Sequence, residues 1–222
     1  MSCQQIFNDR MLLLGLIRVS EAAAIASVIL IGRGNEMAAD QAAVDAMPRQ
    51  LNMLEIVGVV VIGEGERDEA QMLYIGELGT GSGPGFDIAL DPLKGTNLTA
   101  KDMPNALAII AMGPRNSMLH APDVYVEKQA IGPNFAAETV DLDMSPADRV
   151  TALANAKGCA TSDINVCVLE RPRHQNMITE LRSSGVSIRL ITHGDVAAVM
   201  DCTEPKVSGM DMYMGTGGAP EG

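Results

Sequence analysis

Two stretches carry the residues best suited to chemistry: Asp91-Pro92-Leu93-Lys94-Gly95-Thr96 and, upstream, Gly63-Glu64-Gly65-Glu66. Each follows a short apolar run, Phe86 to Leu90 in one case and Val57 to Ile62 in the other. Buried strands that end at carboxylates would hold hard oxygen ligands on rigid supports, a donor set suited to Mg²⁺ or Mn²⁺. Gly95 and Thr96 add backbone N–H groups and a hydroxyl able to meet a phosphate. The chemistry such a set serves is phosphate-ester hydrolysis, in which divalent cations neutralise phosphoryl oxygens, activate water and help the alkoxide leave. Lys94 spoils the pattern, a cation where a further acidic ligand would be expected.

The acidic candidates are Asp40, Glu64, Asp91 and Glu221, with Glu66, Asp68 and Asp87 as outer possibilities. Taken singly, Glu64 and Glu66 also fit solvated loop carboxylates, Asp40 a charge on a helix macrodipole, and Thr96 a turn residue. Arg171-Pro172-Arg173-His174 follows an apolar run ending at Leu169, and two planar guanidinium forks could face a phosphate there. A solvated loop is the plainer alternative. His193-Gly194-Asp195 occupies the same place after the next apolar run, and Tyr125 could donate to a phosphate or fill a core or interface. The recurrence carries more than any one residue, because ligands of α/β sheets bind outside the carboxyl ends of the strands.

These residues need elements to position them. Residues 6–32 and 38–53 have helical apolar patterns, with a kink expected at Pro48. Strands are expected at 57–62, 86–91, 106–112, 124–131 and 137–142, with a helix from Asp68 to Leu78 and a Gly-rich loop from Gly79 to Gly85. Ser145-Pro146 starts a helix as N-cap and N1, and Lys157-Gly158 ends it. Strand and helix then alternate: strands at 164–169, 186–191 and 210–214, helices at 175–184 and 196–201, the pattern of a parallel or mixed sheet. The change of rhythm suggests a boundary near residue 150, between a metal- and phosphate-binding α+β domain and an α/β substrate domain. The Gly-rich end, Gly215 to Gly222, stops where a helix would begin, so the second domain is expected to lack its C-terminal part.

Composition narrows the partners. Hydrophobic residues make up 47% of the 222, aromatics 3%, and there are 15 Met and no Trp, so the core must be aliphatic and adaptable. A formal charge of −12 disfavours nucleic acid, whose binding draws on Lys and Arg. Cys3, Cys159, Cys167 and Cys202 show no zinc-type spacing and suit a reduced, cytoplasmic compartment. The apolar runs Met11–Ile17 and Ala22–Ile31 are interrupted by Arg18, Ser20 and Glu21, so no membrane segment is expected.

Together the blocks Ala39-Asp40-Gln41, Val61 to Ala70, Met72 to Glu77, Asp87 to Leu93, Gly95-Thr96-Asn97, Asn105-Ala106, Ala121 to Tyr125, Arg171 to His174, Gly194 to Ala197 and Gly217 to Gly222 resemble the class II fructose-1,6-bisphosphatases of the lithium-sensitive, metal-dependent sugar phosphatase superfamily. The resemblance runs through nearly the whole chain. It implies a layered αβαβα sandwich of mixed α/β class and hydrolysis of the 1-phosphate of fructose 1,6-bisphosphate with Mg²⁺ or Mn²⁺. Sedoheptulose 1,7-bisphosphate is a second substrate of some relatives, and a homo-oligomer is implied.

By position, Asp40, Glu64, Asp91 and Glu221 resemble the metal ligands, with Asp91 and Thr96 catalytic, Thr96 as the residue that orients the attacking water. Gly95, Thr96, Tyr125, Arg171, Arg173, Gly194, Asp195 and Gly218 resemble substrate contacts. Three departures point to impaired turnover: Lys94 in place of an acidic ligand, His193 in place of an Asp, and an end soon after Glu221. The alternative they favour is a non-catalytic relative that binds sugar phosphate or a subunit.

Overall fold

A computed structural model describes residues 10–63, 77–119 and 124–219. The chain forms two compact units, Met1–Asp123 and Val124–Gly222. Both are mixed α/β, each built on its own four-stranded mixed sheet. Residue 150, the boundary expected from the change of rhythm, falls inside the helix Pro146–Lys157 of the second unit.

In the first unit, helices α1 (Arg10–Val28) and α2 (Glu36–Leu51) precede strand β1 (Val57–Ile62). Strands β2 (Glu77–Leu78) and β3 (Gly85–Lys94) follow, then a short helix α3 (Thr96–Ala100) and strand β4 (Leu107–Pro114). The sheet order is β2-β1-β3-β4, with β1 and β3 parallel and the outer pairs antiparallel. Helix α2 starts where Asn35 accepts from the Ala38 N–H at 3.0 Å, and it runs through Pro48 to Leu51. Its Ala39, Ala43, Met47 and Leu51, four residues apart, form one buried stripe. That stripe joins Val19 and Ala23 of α1 and Val60, Phe86, Ile88 and Leu90 of the sheet in a single core.

Residues 68–76 of the expected helix from Asp68 to Leu78 lie outside the described residues, and its end is a strand instead. Leu78 and Glu77 pair with Gly58 and Val59 on the open edge of β1. Backbone pairing with a distant strand overrides a local helical pattern there.

The second unit contains β5 (Tyr125–Ile131), α4 (Pro146–Lys157), β6 (Asn165–Leu169), α5 (Gln175–Ser183) and β7 (Ser187–Ile191). It ends with α6 (Asp195–Thr203), α7 (Pro205–Ser208) and β8 (Met212–Gly218). The sheet order is β5-β8-β6-β7; β6 is parallel to β7 and β8, and β5 is antiparallel to β8. Side chains alternate across β6, as a strand requires. Val166 and Val168 pack with α4 and α5, whereas Cys167 packs with Ala198 and Cys202 of α6. Ser145 caps α4 by accepting from the Asp148 N–H, and Gly158 ends it at φ +72°.

The strand expected at 137–142 is a 3-10 turn, Ala137–Thr139, followed by irregular chain. Side chains take its carbonyls: Arg149 donates to the Leu142 carbonyl and Gln129 to that of Val140. Arg149 is itself buried and also reaches Glu127 at 2.6 Å and the Met144 carbonyl at 3.0 Å.

Burial pushes the Cys167 thiol up to about 11, with Arg189 opposing the shift and Asp201 adding to it. It pushes Cys202 up to about 12, with Cys167, Asp201 and Asp211 contributing in the same direction. The nucleophile is the thiolate, so both should resist an aromatic disulfide reagent at pH 8 in the folded chain. Peptide mapping is expected to find them labelled only after unfolding in denaturant; labelling of either within minutes in the folded protein would contradict this packing.

Candidate functional site

In the first unit β3 does not stop at Asp91 but continues to Lys94 through a shift in its pairing with β4. Pro92, which has no N–H to donate, sits within this irregularity, where a ladder tolerates it. The Leu93 N–H donates to Asp91 Oδ1 at 3.1 Å, fixing the carboxylate. Lys94 Nζ lies 4.0 Å from Asp91 Oδ2, with the two side chains 13% and 14% exposed. Gly95 then turns at φ +88°, and a Cβ there would lie 2.8 Å from Leu98 Cδ1, so glycine is required. Thr96 opens α3, whose Leu98 and Thr99 amides return to the Gly95 carbonyl.

Asp40 is half-buried on α2, which packs against β3 and α3, the elements that carry Asp91 and Thr96. Glu64, Glu66, Asp68 and Glu221 lie outside the described residues. Among the described residues no three His, Cys, Asp or Glu side chains gather as a metal cage. The surroundings of Asp91 do not fit a divalent cation either, because an ammonium already balances its charge from a largely enclosed position.

Asp87 has a structural part. Its carboxylate takes Arg115 at 3.2 Å and the Ser117 and Met118 amides, holding the turn after β4. It lies four positions along the strand from Asp91, about 13 Å at the usual rise, too far for an outer shell there.

In the second unit the sequence-singled residues converge at one edge of the sheet, where β6, β7 and β8 end and β5 begins. Tyr125 stands opposite Gly218 in the β5–β8 ladder. After β6, Arg173 donates through Nε and Nη2 to the Thr216 carbonyl of β8, at 2.9 and 2.7 Å. Its guanidinium carbon lies 4.9 Å from the centre of the Tyr125 ring, a cation–π contact. Arg171 donates to the Glu170 carbonyl at 3.1 Å and lies 3.5 Å from His193 Nδ1. After β7, Gly194 turns at φ +86° into α6. Asp195 is buried, accepts from the Val196 N–H at 3.2 Å, and faces Lys128 Nζ at 3.7 Å. A Cβ on Gly217 would stand 3.2 Å from Asp195 Oδ2 and 3.4 Å from Lys128 Nζ, so the bare backbone permits this ion pair.

Two members of this edge have roles that the sequence does not show. Lys128 balances Asp195 from β5, and nothing local marks it. His174 is buried; its Nδ1 is 2.7 Å from the Leu169 carbonyl and its Nε2 accepts from the Thr216 N–H at 2.9 Å. A carbonyl can only accept, so Nδ1 carries the proton and the ring is neutral. Thr216 is thus gripped at its N–H by His174 and at its carbonyl by Arg173. The edge presents cationic forks, an aromatic hydroxyl, glycine backbone and one charge-paired carboxylate, groups that suit a phosphorylated polyol.

A family model described as "Bacterial fructose-1,6-bisphosphatase, glpX-encoded" matches residues 10–222. "Fructose-1,6-bisphosphatase 1 class 2" of Escherichia coli strain K12 is 48% identical over 206 residues, 92% of this chain and 61% of that protein. "Fructose-1,6-bisphosphatase class 2" of Shigella flexneri matches with the same identity and coverage. The chain therefore spans 61% of the length of these curated relatives. With the family match extending across both units, the chain belongs to the bacterial, glpX-encoded fructose-1,6-bisphosphatase family.

Proposed function

We propose that this chain recognises fructose 1,6-bisphosphate, and that the reaction it descends from is metal-dependent hydrolysis of the sugar's 1-phosphate. The observation that carries the reading is the sheet edge of the second unit, where Arg171, Arg173, Tyr125, Gly194, Asp195 and Gly218 meet. There Arg171 and Arg173 supply charge-assisted donors to phosphoryl oxygens, and Asp195, held by Lys128 and the Val196 amide, supplies an acceptor for a sugar hydroxyl. Family membership supports Asp40, Glu64, Asp91 and Glu221 as ligands for Mg²⁺ or Mn²⁺ in that ancestral reaction, and Thr96 as the hydroxyl that would orient a water; in this chain Lys94 beside Asp91 opposes such a cation. Such a cation would supply charge neutralisation at the phosphoryl group.

Turnover by this chain is low on this reading, because Lys94 neutralises Asp91 from within. That contact equally supports a second reading, in which the chain binds the sugar phosphate without hydrolysing it.

Calorimetric titration with fructose 1,6-bisphosphate separates binding from turnover. Arg173→Gln removes charge-assisted donors and should weaken binding about ten- to a hundredfold, on the scale of about 1.5–3 kcal/mol per such bond. Absence of saturable binding, or identical affinity in Arg171→Gln and Arg173→Gln, would remove the sheet edge as the recognition site. Phosphate release in the same samples then decides between the two readings.

A further inference from the structure

Lys128 and Asp195 make a poor structural ion pair. Their side chains are 11% and 9% exposed, yet Lys128 Nζ stands 3.7 Å from Asp195 Oδ2, beyond hydrogen-bonding distance. The same Nζ is buried and has no hydrogen-bond partner among the described residues. Taking two charges out of water without such bonds adds little to stability and commonly lowers it. The pair therefore calls for a role other than holding the fold.

What the spacing preserves is the capacity of Asp195 to accept. A carboxylate has about four lone-pair positions. The Val196 N–H takes one of them, on Oδ1, at 3.2 Å. The ammonium balances the charge without taking another. Lys128 stands opposite Gly215 in the β5–β8 ladder, where no cross-strand side chain competes for the space. Gly217 leaves the pair equally clear, since a Cβ there would lie 3.2 Å from Oδ2 and 3.4 Å from Nζ. Asp195 is thus fixed, balanced in charge and still able to accept, at the edge that also carries Arg171 and Arg173.

We propose that Lys128 is a positioning residue acting through Asp195, and that the pair makes this edge selective for phosphate esters of polyols over phosphate esters without hydroxyls. The inference rests on the reading of the edge as a sugar-phosphate site. A polyol hydroxyl meets an ionised acceptor already held in place, whereas a ligand without hydroxyls leaves that buried acceptor unmet. Arg171 and Arg173 answer phosphoryl groups and do not distinguish the two kinds of ligand.

Calorimetric titration with fructose 1,6-bisphosphate and with hexane-1,6-diol bisphosphate, which carries two phosphates and no free hydroxyl, tests this. Circular dichroism checks that each variant is folded. In Lys128→Met the carboxylate has no counter-charge and turns toward water. Affinity for fructose 1,6-bisphosphate should fall at least about tenfold, while that for the diol bisphosphate changes by less than about threefold. Asp195→Asn should show the same split. The double variant Lys128→Met, Asp195→Asn leaves no charge unbalanced, so it keeps the comparison available should either single variant unfold. It should again show the split, with a loss no larger than that of a single variant.

Equal losses for the two ligands in Lys128→Met would mean that the residue only supports the fold. Losses that add in the double variant would mean that Lys128 does not act through Asp195. Either result overturns the proposal, as does a Lys128→Met variant that binds fructose 1,6-bisphosphate like the unaltered chain. An unaltered chain that binds both ligands equally would remove Asp195 as a hydroxyl acceptor, and the proposal with it, while the edge stands as a phosphate site. One that binds neither would remove the edge itself.

Discussion

A Lys94→Glu variant is expected to bind Mn²⁺ at least about a hundredfold more tightly than the unaltered chain. In the structure Lys94 Nζ stands 4.0 Å from Asp91 Oδ2, and neither side chain is more than 14% exposed. At that separation a unit charge and a divalent ion interact by about 8 kcal/mol at an effective dielectric near 20. The ammonium can swing away and water can enter, so only part of that repulsion acts on a cation beside Asp91. Even a third of it corresponds to about a hundredfold in affinity. The Glu variant removes the repulsion and adds an oxygen donor; Lys94→Met removes the repulsion alone and should fall between. Calorimetric titration with Mn²⁺, or the loss of the free-ion electron spin resonance signal, reads this without reference to turnover. Equal Mn²⁺ affinity in all three proteins would mean that Lys94 does not control the site, and the account of impaired hydrolysis would fall with it.

The parts of the fold visible in the sequence are those whose signals are local. Ser145, Pro146 and Gly158 mark both ends of α4 because capping is decided within a turn of the helix. The alternation from β6 to α6 shows because the apolar run of β6 is buried on both faces and each run is bounded by polar turns. By contrast β2 exists only because β1 offers an edge, and residues 137–142 fail to form a strand because distant side chains take their carbonyls. The five-residue α3 is too short to leave an apolar period.

The candidate site divides in the same way. The strand-end turns identify Arg171, Arg173, Gly194 and Asp195 by type and place. That Arg173 would meet Thr216, some forty residues away, is a matter of β6 and β8 being neighbours, which no local pattern encodes. Lys94 is visible as an intruder among carboxylates, but its contact with Asp91 depends on the strand running on past Pro92. For α1 the apolar content is plain in the sequence. Which face points outward is not, until Val19, Ala23 and Ser27 are seen to be buried.

His174→Phe should be among the most damaging single changes in the second unit, lowering stability by about 2–5 kcal/mol. The ring joins the ends of two strands where their ladder stops: Nδ1–H donates to the Leu169 carbonyl of β6, and Nε2 accepts from the Thr216 N–H of β8. Phenylalanine fills the volume but satisfies neither group, and each buried polar group left unpaired costs about 1–3 kcal/mol. His174→Gln retains a carbonyl oxygen able to accept from Thr216 and should recover about half of the loss. Urea unfolding midpoints at constant slope measure both effects. If the sheet edge is the proposed recognition site, the damage should extend to binding, because the residue that loses its N–H partner is the one whose carbonyl accepts from Nε and Nη2 of Arg173. Fructose 1,6-bisphosphate affinity should therefore fall in the Phe variant at temperatures where it is still folded, and partly return in the Gln variant. The nitrogen-15 spectrum of the unaltered imidazole should show the proton on Nδ1. A proton on Nε2, or a Phe variant as stable as the parent, would mean that the strand ends are not held together through this ring.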